Sequence, residues 1–182
     1  MDKTGIGCGC MLEKGAGLAN REIVTYLLGC AIQEISVDER HGRLTRDGIR
    51  IYEPAEFAGM HRAGRLAATI LDEVAALVVP GVTTEALDDF IRGQVEEVGA
   101  VSATIGYRGY QHASCISVNH VVCHGIPGPK RLADGDVLNI DVTVIVDGWY
   151  GDTSRMYVAG ELSRKAERLI QVAHDAFMRG IE

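Results

Sequence analysis

The sequence predicts an α+β domain in which helices cover an antiparallel sheet. Three observations carry this: two amphipathic stripes at helical spacing between residues 54 and 98, two alternating β-prone runs joined by Asp147-Gly148, and a composition that is 47% apolar and 24% charged over 182 residues. One compact globular domain is the expectation at this length.

Charge and cysteine content narrow the function classes. The net charge of -7 and the lack of a basic stripe argue against a nucleic-acid binder, which needs clustered Lys and Arg to neutralise phosphates. The apolar stretch Ile23 to Ile35 contains Thr25, Gly29, Gln33 and Glu34, and falls short of the roughly 20 apolar residues of a membrane span. The first residues show no charged leader, apolar block and small-residue cleavage site, so a cytoplasmic location is expected. Five cysteines, at 8, 10, 30, 115 and 123, lack the even, dense framework of a small secreted domain and read as reduced thiols. Cys8, Cys10, Cys30 and His41 match no usual zinc spacing.

Residues 1–48 are rich in Gly and scattered Cys and end in the charged run Asp38 to Gly48, which suggests a poorly ordered extension or linker. Within it, Leu18 to Ile35 is a candidate short helix interrupted by Gly29. Pro54 suits the first turn of a long helix whose stripe is Phe57, Met60, Gly64, Ala67, Leu71, Val74 and Val78, ending at Pro80-Gly81. Thr83 or Thr84 can cap a second helix with Glu85 in its first turn, Leu87, Ile91, Val95 and Val98 as its buried stripe, and Gly99 as its stop. Residues 100–122 read as short β pieces separated by the glycine turns of Ile105 to Tyr110, and Pro127 and Pro129 break the chain again. Ser163 can cap a third helix bearing Ala166, Leu169, Ile170, Ala173 and Phe177.

Between these lies the clearest local signal, Asp136 to Val158. An Asp-Gly pair favours a two-residue type I′ turn. Counting outward from Asp147-Gly148, Val146 faces Trp149, Thr143 faces Asp152 and Asp141 faces Ser154. Because strand side chains alternate faces, Asp141, Thr143, Asp152 and Ser154 share a polar face, and Ile140, Val142, Val144, Val146 and Trp149 share the other. Asp141 and Asp152 become diagonal neighbours, about 7 to 8 Å apart at their backbones, close enough for both carboxylates to turn onto a shared cation. Such a pair repels unless something positive compensates it. A solvated strand-edge aspartate is the plainer reading, and the hairpin alone leaves both open.

The segments Cys115-Ile-Ser-Val-Asn-His-Val-Val-Cys-His-Gly-Ile-Pro127, Leu138-Asn-Ile-Asp-Val-Thr143 and Gly151-Asp-Thr-Ser154 closely resemble type I methionine aminopeptidases. The resemblance runs over residues 49–182, through Gly64-Arg-Leu-Ala67 and Pro80-Gly-Val-Thr-Thr84, and corresponds to the amino-terminal half of that family's catalytic domain. It implies the pita-bread fold and removal of the initiator methionine from nascent proteins with a small second residue. It further implies two divalent ions (Co, Mn, Fe, Zn or Ni) that activate water for attack on the peptide. By the same resemblance Asp141 serves one metal and Asp152 bridges both, and His124 hydrogen-bonds the substrate around the scissile amide. Tyr107, Tyr110 and Cys115 match positions lining the methionine pocket, where aromatic edges and a polarizable sulfur suit a thioether. Taken singly, a His beside a Cys is more often a packed polar residue than a catalyst, and a Tyr in a glycine-flanked loop reads equally as pocket or core. Two positions depart from the family pattern: Arg108 stands where many relatives carry a substrate-contacting histidine, and Thr104 replaces a frequent pocket cysteine.

The family continues beyond the equivalent of Glu182 with a His and two Glu that complete its metal site. With two carboxylates alone, the chain is expected to bind metal weakly, to have negligible peptidase activity and to expose an apolar edge and core face. Nascent polypeptide amino termini are the implied partners, with the ribosome as a further candidate. A monomer with no membrane or specific nucleic-acid partner is expected. A proline-specific aminopeptidase of the same fold and a non-catalytic binding module of that fold are the competing readings.

Overall fold

The computed structural model of the protein describes residues 43–181. Cys8, Cys10, Cys30 and His41, weighed above for zinc, and the candidate Leu18 to Ile35 helix lie outside these residues. The first described element is a small hairpin of β1 (Arg43–Leu44) and β2 (Arg50–Ile51), closed through Thr45, whose amide donates to Ile49 O at 2.9 Å. The hairpin straddles residue 48, so the boundary expected there falls inside an element.

Pro54 opens a 3-10 turn at Pro54–Glu56, fixed by a reciprocal cap in which the Glu53 amide donates to the Glu56 carboxylate at 2.7 Å. Helix α1 (Phe57–Val74) follows. Its buried face is Gly59, Ala63, Ala67, Ile70, Leu71 and Val74. The stripe expected at Phe57, Met60 and Gly64 is therefore displaced: Phe57 and Met60 are 44% and 47% exposed. The reason is close backbone packing. A Cβ on Gly59 would collide with the Trp149 indole, and one on Gly151 would collide with the main chain of Ala63. The first half of α1 thus lies directly on the sheet through small residues, which a hydrophobicity pattern does not register.

Helix α2 (Thr84–Glu97) begins as expected, with the Thr83 hydroxyl accepting from the Ala86 amide at 3.1 Å. It buries Thr84, Leu87, Asp88, Ile91 and Val95, whereas Val98, expected in the stripe, is its exposed C-cap. Strand β3 (Val101–Ser102) and strand β4 (Ser114–Val118) are joined by a loop containing a 3-10 turn at Tyr107–Gly109. Strands β5 (Asp136–Val146) and β6 (Trp149–Ala159) form the long hairpin. Its turn residues Asp147 and Gly148 both have positive φ, as a type I′ turn requires. Along one edge of β5 lie β3 and β4, end to end, and along the other lies β6, all antiparallel.

The core sits between this sheet and the two helices, α1 packing on β5 and β6 and α2 on β3 and β4. Leu138, Ile140, Val142 and Val144 of β5 meet Ile70, Leu71, Leu87 and Ile91 there. Polar pins fix α1 on β6: the Tyr157 hydroxyl donates to Leu71 O, and Arg155 pairs with Asp72. Helix α3 (Arg164–Ile181), capped by Ser163, buries none of its described residues, and Leu169 and Phe177 stay 70% and 66% exposed. No helix of the described residues is long and apolar enough to cross a membrane.

Candidate functional site

The β5–β6 register is the one counted from the turn: Val146 opposite Trp149, Thr143 opposite Asp152, Asp141 opposite Ser154. On the other edge of β5, Cys115 of β4 is opposite Asp141. Alternation then puts Cys115, Asp141, Thr143, Asp152 and Ser154 on the sheet face turned away from α1 and α2. The Thr143 hydroxyl donates to Asp152 Oδ1 at 3.1 Å and orients that carboxylate. Asp141 is half-buried and Asp152 exposed. Burial pushes the Asp141 carboxyl above its ordinary value, and the like charge of Asp152 adds to this, while His124 opposes it. Asp152 and His124 therefore each lie within electrostatic reach of Asp141.

His124 lies on the loop between β4 and β5 and is exposed. Asn119, at φ 55°, turns the chain, its side chain donating to Asp136 Oδ1 at 2.8 Å and accepting from the Val137 amide at 3.1 Å. Six residues on, the Gly125 amide donates to Ser117 Oγ at 3.0 Å and Gly125 O accepts from the Ile116 amide at 2.8 Å. A Cβ on Gly125 would strike the Ile116 carbonyl, so only glycine lets the loop lie flat against β4. His124 immediately before it has φ 54°, a left-handed conformation uncommon for a non-glycine residue. Beyond it, Thr84 grips the loop by donating to Gly128 O at 3.1 Å and accepting from the Gly128 amide at 3.0 Å.

Of the three expected pocket residues, the structure brings Tyr110 and Cys115 together. The Tyr110 hydroxyl donates at 2.8 Å to Ser114 O, the carbonyl of the residue just before Cys115. Burial is the largest cause that pushes both the Tyr110 hydroxyl and the Cys115 thiol above their ordinary values. Tyr107 stands apart: it is 66% exposed, with the Arg108 guanidinium 5.5 Å from its ring centroid. Thr104 braces the loop, donating to His112 O at 2.7 Å.

Sequence reasoning missed Asp88, which is buried in α2 and accepts from both the amide and the hydroxyl of Ser114. In the sequence Asp88 is an unremarkable helical carboxylate, and only its place on the apolar stripe of α2, between Leu87 and Ile91, singles it out.

Two carboxylates on one face, already repelling, offer the oxygen donors that suit a divalent cation. Among the described residues no group of three or more His, Cys, Asp and Glu is arranged to hold one. Asp141 and Asp152 thus fit part of a metal site and not a closed one.

Comparison with known proteins bears on this geometry. The family model described as metallopeptidase family M24 matches residues 58–182. A methionine aminopeptidase of Rickettsia prowazekii (strain Madrid E) is 51% identical over 134 residues, which cover 74% of this chain and 52% of that protein. A crystal structure of methionine aminopeptidase from Rickettsia prowazekii superposes with a TM-score of 0.72 at 51% identity, over 74% of this chain and 54% of that one. The prolidase from Pyrococcus furiosus, at 19% identity and a TM-score of 0.64 over 72% of this chain and 38% of that one, shares the fold alone. The chain spans about half the length of the curated relatives it matches. Its architecture is the pita-bread α+β fold of these peptidases, and the chain belongs to metallopeptidase family M24.

Proposed function

We propose that this chain carries the substrate pocket and the first two metal carboxylates of a methionine aminopeptidase, which removes the initiator methionine from proteins with a small second residue. The observation that carries the reading is the common face of Asp141 and Asp152 with His124 in electrostatic reach, in a chain 51% identical to a methionine aminopeptidase. Asp141 and Asp152 would hold two divalent ions, which supply Lewis-acid polarisation of the scissile carbonyl and lower the pKa of water. Thr143 orients Asp152 toward that role. His124 hydrogen-bonds the peptide beside the scissile bond, and Tyr110 and Cys115 face the methionine thioether, with Tyr107 at the open rim. The substrates are nascent polypeptide amino termini in the cytoplasm, met at or near the ribosome by a monomer.

With a donor set of two carboxylates, the 182-residue chain is expected to release no measurable methionine from a Met-Ala-Ser peptide with added Mn²⁺ or Co²⁺. Robust turnover by that chain would overturn the donor-count argument. In a chain extended to the relatives' full length, Asp152→Asn is expected to abolish turnover while leaving the far-ultraviolet circular dichroism unchanged. Retained turnover would sink the metal assignment. The proline-specific alternative is not favoured, because the likeness to prolidase stops at the fold.

A further inference from the structure

We propose that Asp88 is a positioning residue for the methionine side-chain pocket, anchoring Ser114 so that Tyr110 and Cys115 are held at fixed distance from the substrate thioether. This rests on the pocket reading of Tyr110 and Cys115 given above.

Asp88 is 1% exposed and occupies a position on α2 that an apolar residue would fill without penalty. A carboxylate buried there is costly unless its oxygens are satisfied. Both are. Oδ1 accepts from the Ser114 amide at 2.8 Å and from the Ser114 hydroxyl at 2.7 Å, and Oδ2 lies 3.2 Å from His112 Nδ1. Arg92, one turn along α2 and 3.8 Å from Asp88, donates to Gln111 O at 2.8 Å. From the opposite side, Ser102 Oγ donates to Ala113 O at 3.1 Å and Thr104 Oγ1 to His112 O at 2.7 Å. The Tyr110 hydroxyl completes the frame at Ser114 O, and the Tyr110 and His112 rings meet edge-on at 5.5 Å. Every residue from Tyr110 to Ser114 is thereby tied down, and Cys115 is the next.

A thioether offers almost no directional hydrogen bonding, so its recognition depends on shape. Dispersion is forfeited once the walls recede by even a fraction of an ångström. A pocket of this kind needs stiff walls, and the only acceptor inside the frame that takes two donors from the strand itself is the Asp88 carboxylate. Asn at 88 keeps an oxygen for Ser114 but turns an NH2 toward His112, which then has to present an unprotonated Nδ1. Ala removes the acceptor altogether.

The test uses the 182-residue chain as wild type, Asp88→Asn and Asp88→Ala. It reads amide hydrogen exchange by mass spectrometry and N-ethylmaleimide alkylation mapped to Cys115, with the exposed Cys123 as internal control and with or without millimolar L-methionine. In Asp88→Ala, exchange across residues 104–118 and alkylation of Cys115 are expected to rise about tenfold, with β5 and Cys123 unchanged. Asp88→Asn is expected to stay within about threefold of wild type, since it retains the Ser114 bonds. L-methionine is expected to slow Cys115 alkylation in wild type and Asp88→Asn but not in Asp88→Ala. Equal rates in wild type and Asp88→Ala, or loosening of β5 to the same extent as residues 104–118, would overturn the proposal. If Asp88→Ala does not fold, Ser114→Ala, which removes one of the two donors, is expected to loosen the same segment about threefold, and an unchanged segment overturns the proposal equally. Selective loosening together with no methionine protection in wild type overturns the pocket reading and the positioning role with it, while a clamp without ligand function remains.

Discussion

On the side of the β5–β6 ribbon that meets α1, side chains shrink to glycine so that helix and strand backbones touch. On the other side, the carboxylates of Asp141 and Asp152 sit diagonally across the ribbon, with the Thr143 hydroxyl bonded to Asp152. The first face is closed by packing and gives the ribbon its position. The second carries two like charges, and the Asp141 carboxyl there is pushed up first by burial and then by the charge of Asp152. The difference teaches where the proposed metal site would draw its rigidity: Asp141 and Asp152 are presented by a surface they do not stabilise, and the stiffness comes from the far side of the same strands.

The strongest way to break this contrast is Gly151→Val, which drives a branched side chain into the Ala63 main chain, where nothing can yield. A loss of at least about 3 kcal/mol, or no cooperative transition at all in urea, is expected. A midpoint near wild type would mean that α1 does not sit where it is described.

A smaller effect is expected where the loop bearing His124 rejoins β5. There Asp136 accepts from the Ala133 amide at 2.9 Å and from Asn119 at 2.8 Å, and these bonds hold its carboxyl below the ordinary range. A folded value below the unfolded one contributes stability that is fully present above the ordinary aspartate range and is lost as pH falls through the folded value. Asp136→Asn is expected to cost about 1 kcal/mol at neutral pH and to flatten the acid limb of the stability profile. An unchanged acid limb in urea titrations between pH 2 and 7 would rule this out.

Asp141 has the opposite sign. Its folded value is raised, so stability declines as pH rises from the ordinary carboxylate range through that value, and Asp141→Asn removes the decline. The variant is expected to melt at or slightly above wild type without metal and to lose the stabilisation that millimolar Mn²⁺ gives wild type. Equal Mn²⁺ responses would place the cation elsewhere. The smallest effect is expected from ending the chain at Ser163. Since none of the described residues of α3 is buried, the urea midpoint should move by no more than about 0.5 kcal/mol equivalent.

Much of this was legible in the sequence wherever one local rule dominates. The Asp-Gly turn and the period-two alternation specified the β5–β6 register residue by residue, and the Thr83 cap located the start of α2. Legibility failed where contact depends on having no side chain. Phe57 and Met60 looked like the inward face of α1, and the true inward residues, Gly59 and Ala63, carry almost no hydrophobic signal. Asp88 was invisible for the converse reason: a carboxylate on a helix is ordinary until its burial is known. The neighbourhood of His124, Asp141 and Asp152 became readable through linked motifs and not through any one residue.

The seat of Gly151 on α1 has a further consequence for the residue beside it. Successive strand residues point to opposite sides, so the depth to which residue 151 sinks toward the helix sets how far Asp152 stands out on the other surface. Any change that thickens the helix–sheet spacing by a methyl group is levered into a displacement of the carboxylate. Mutations on the hidden side of the ribbon are therefore expected to move the Asp152 carboxylate, and with it any cation the proposed site would hold, without touching the acidic side chains.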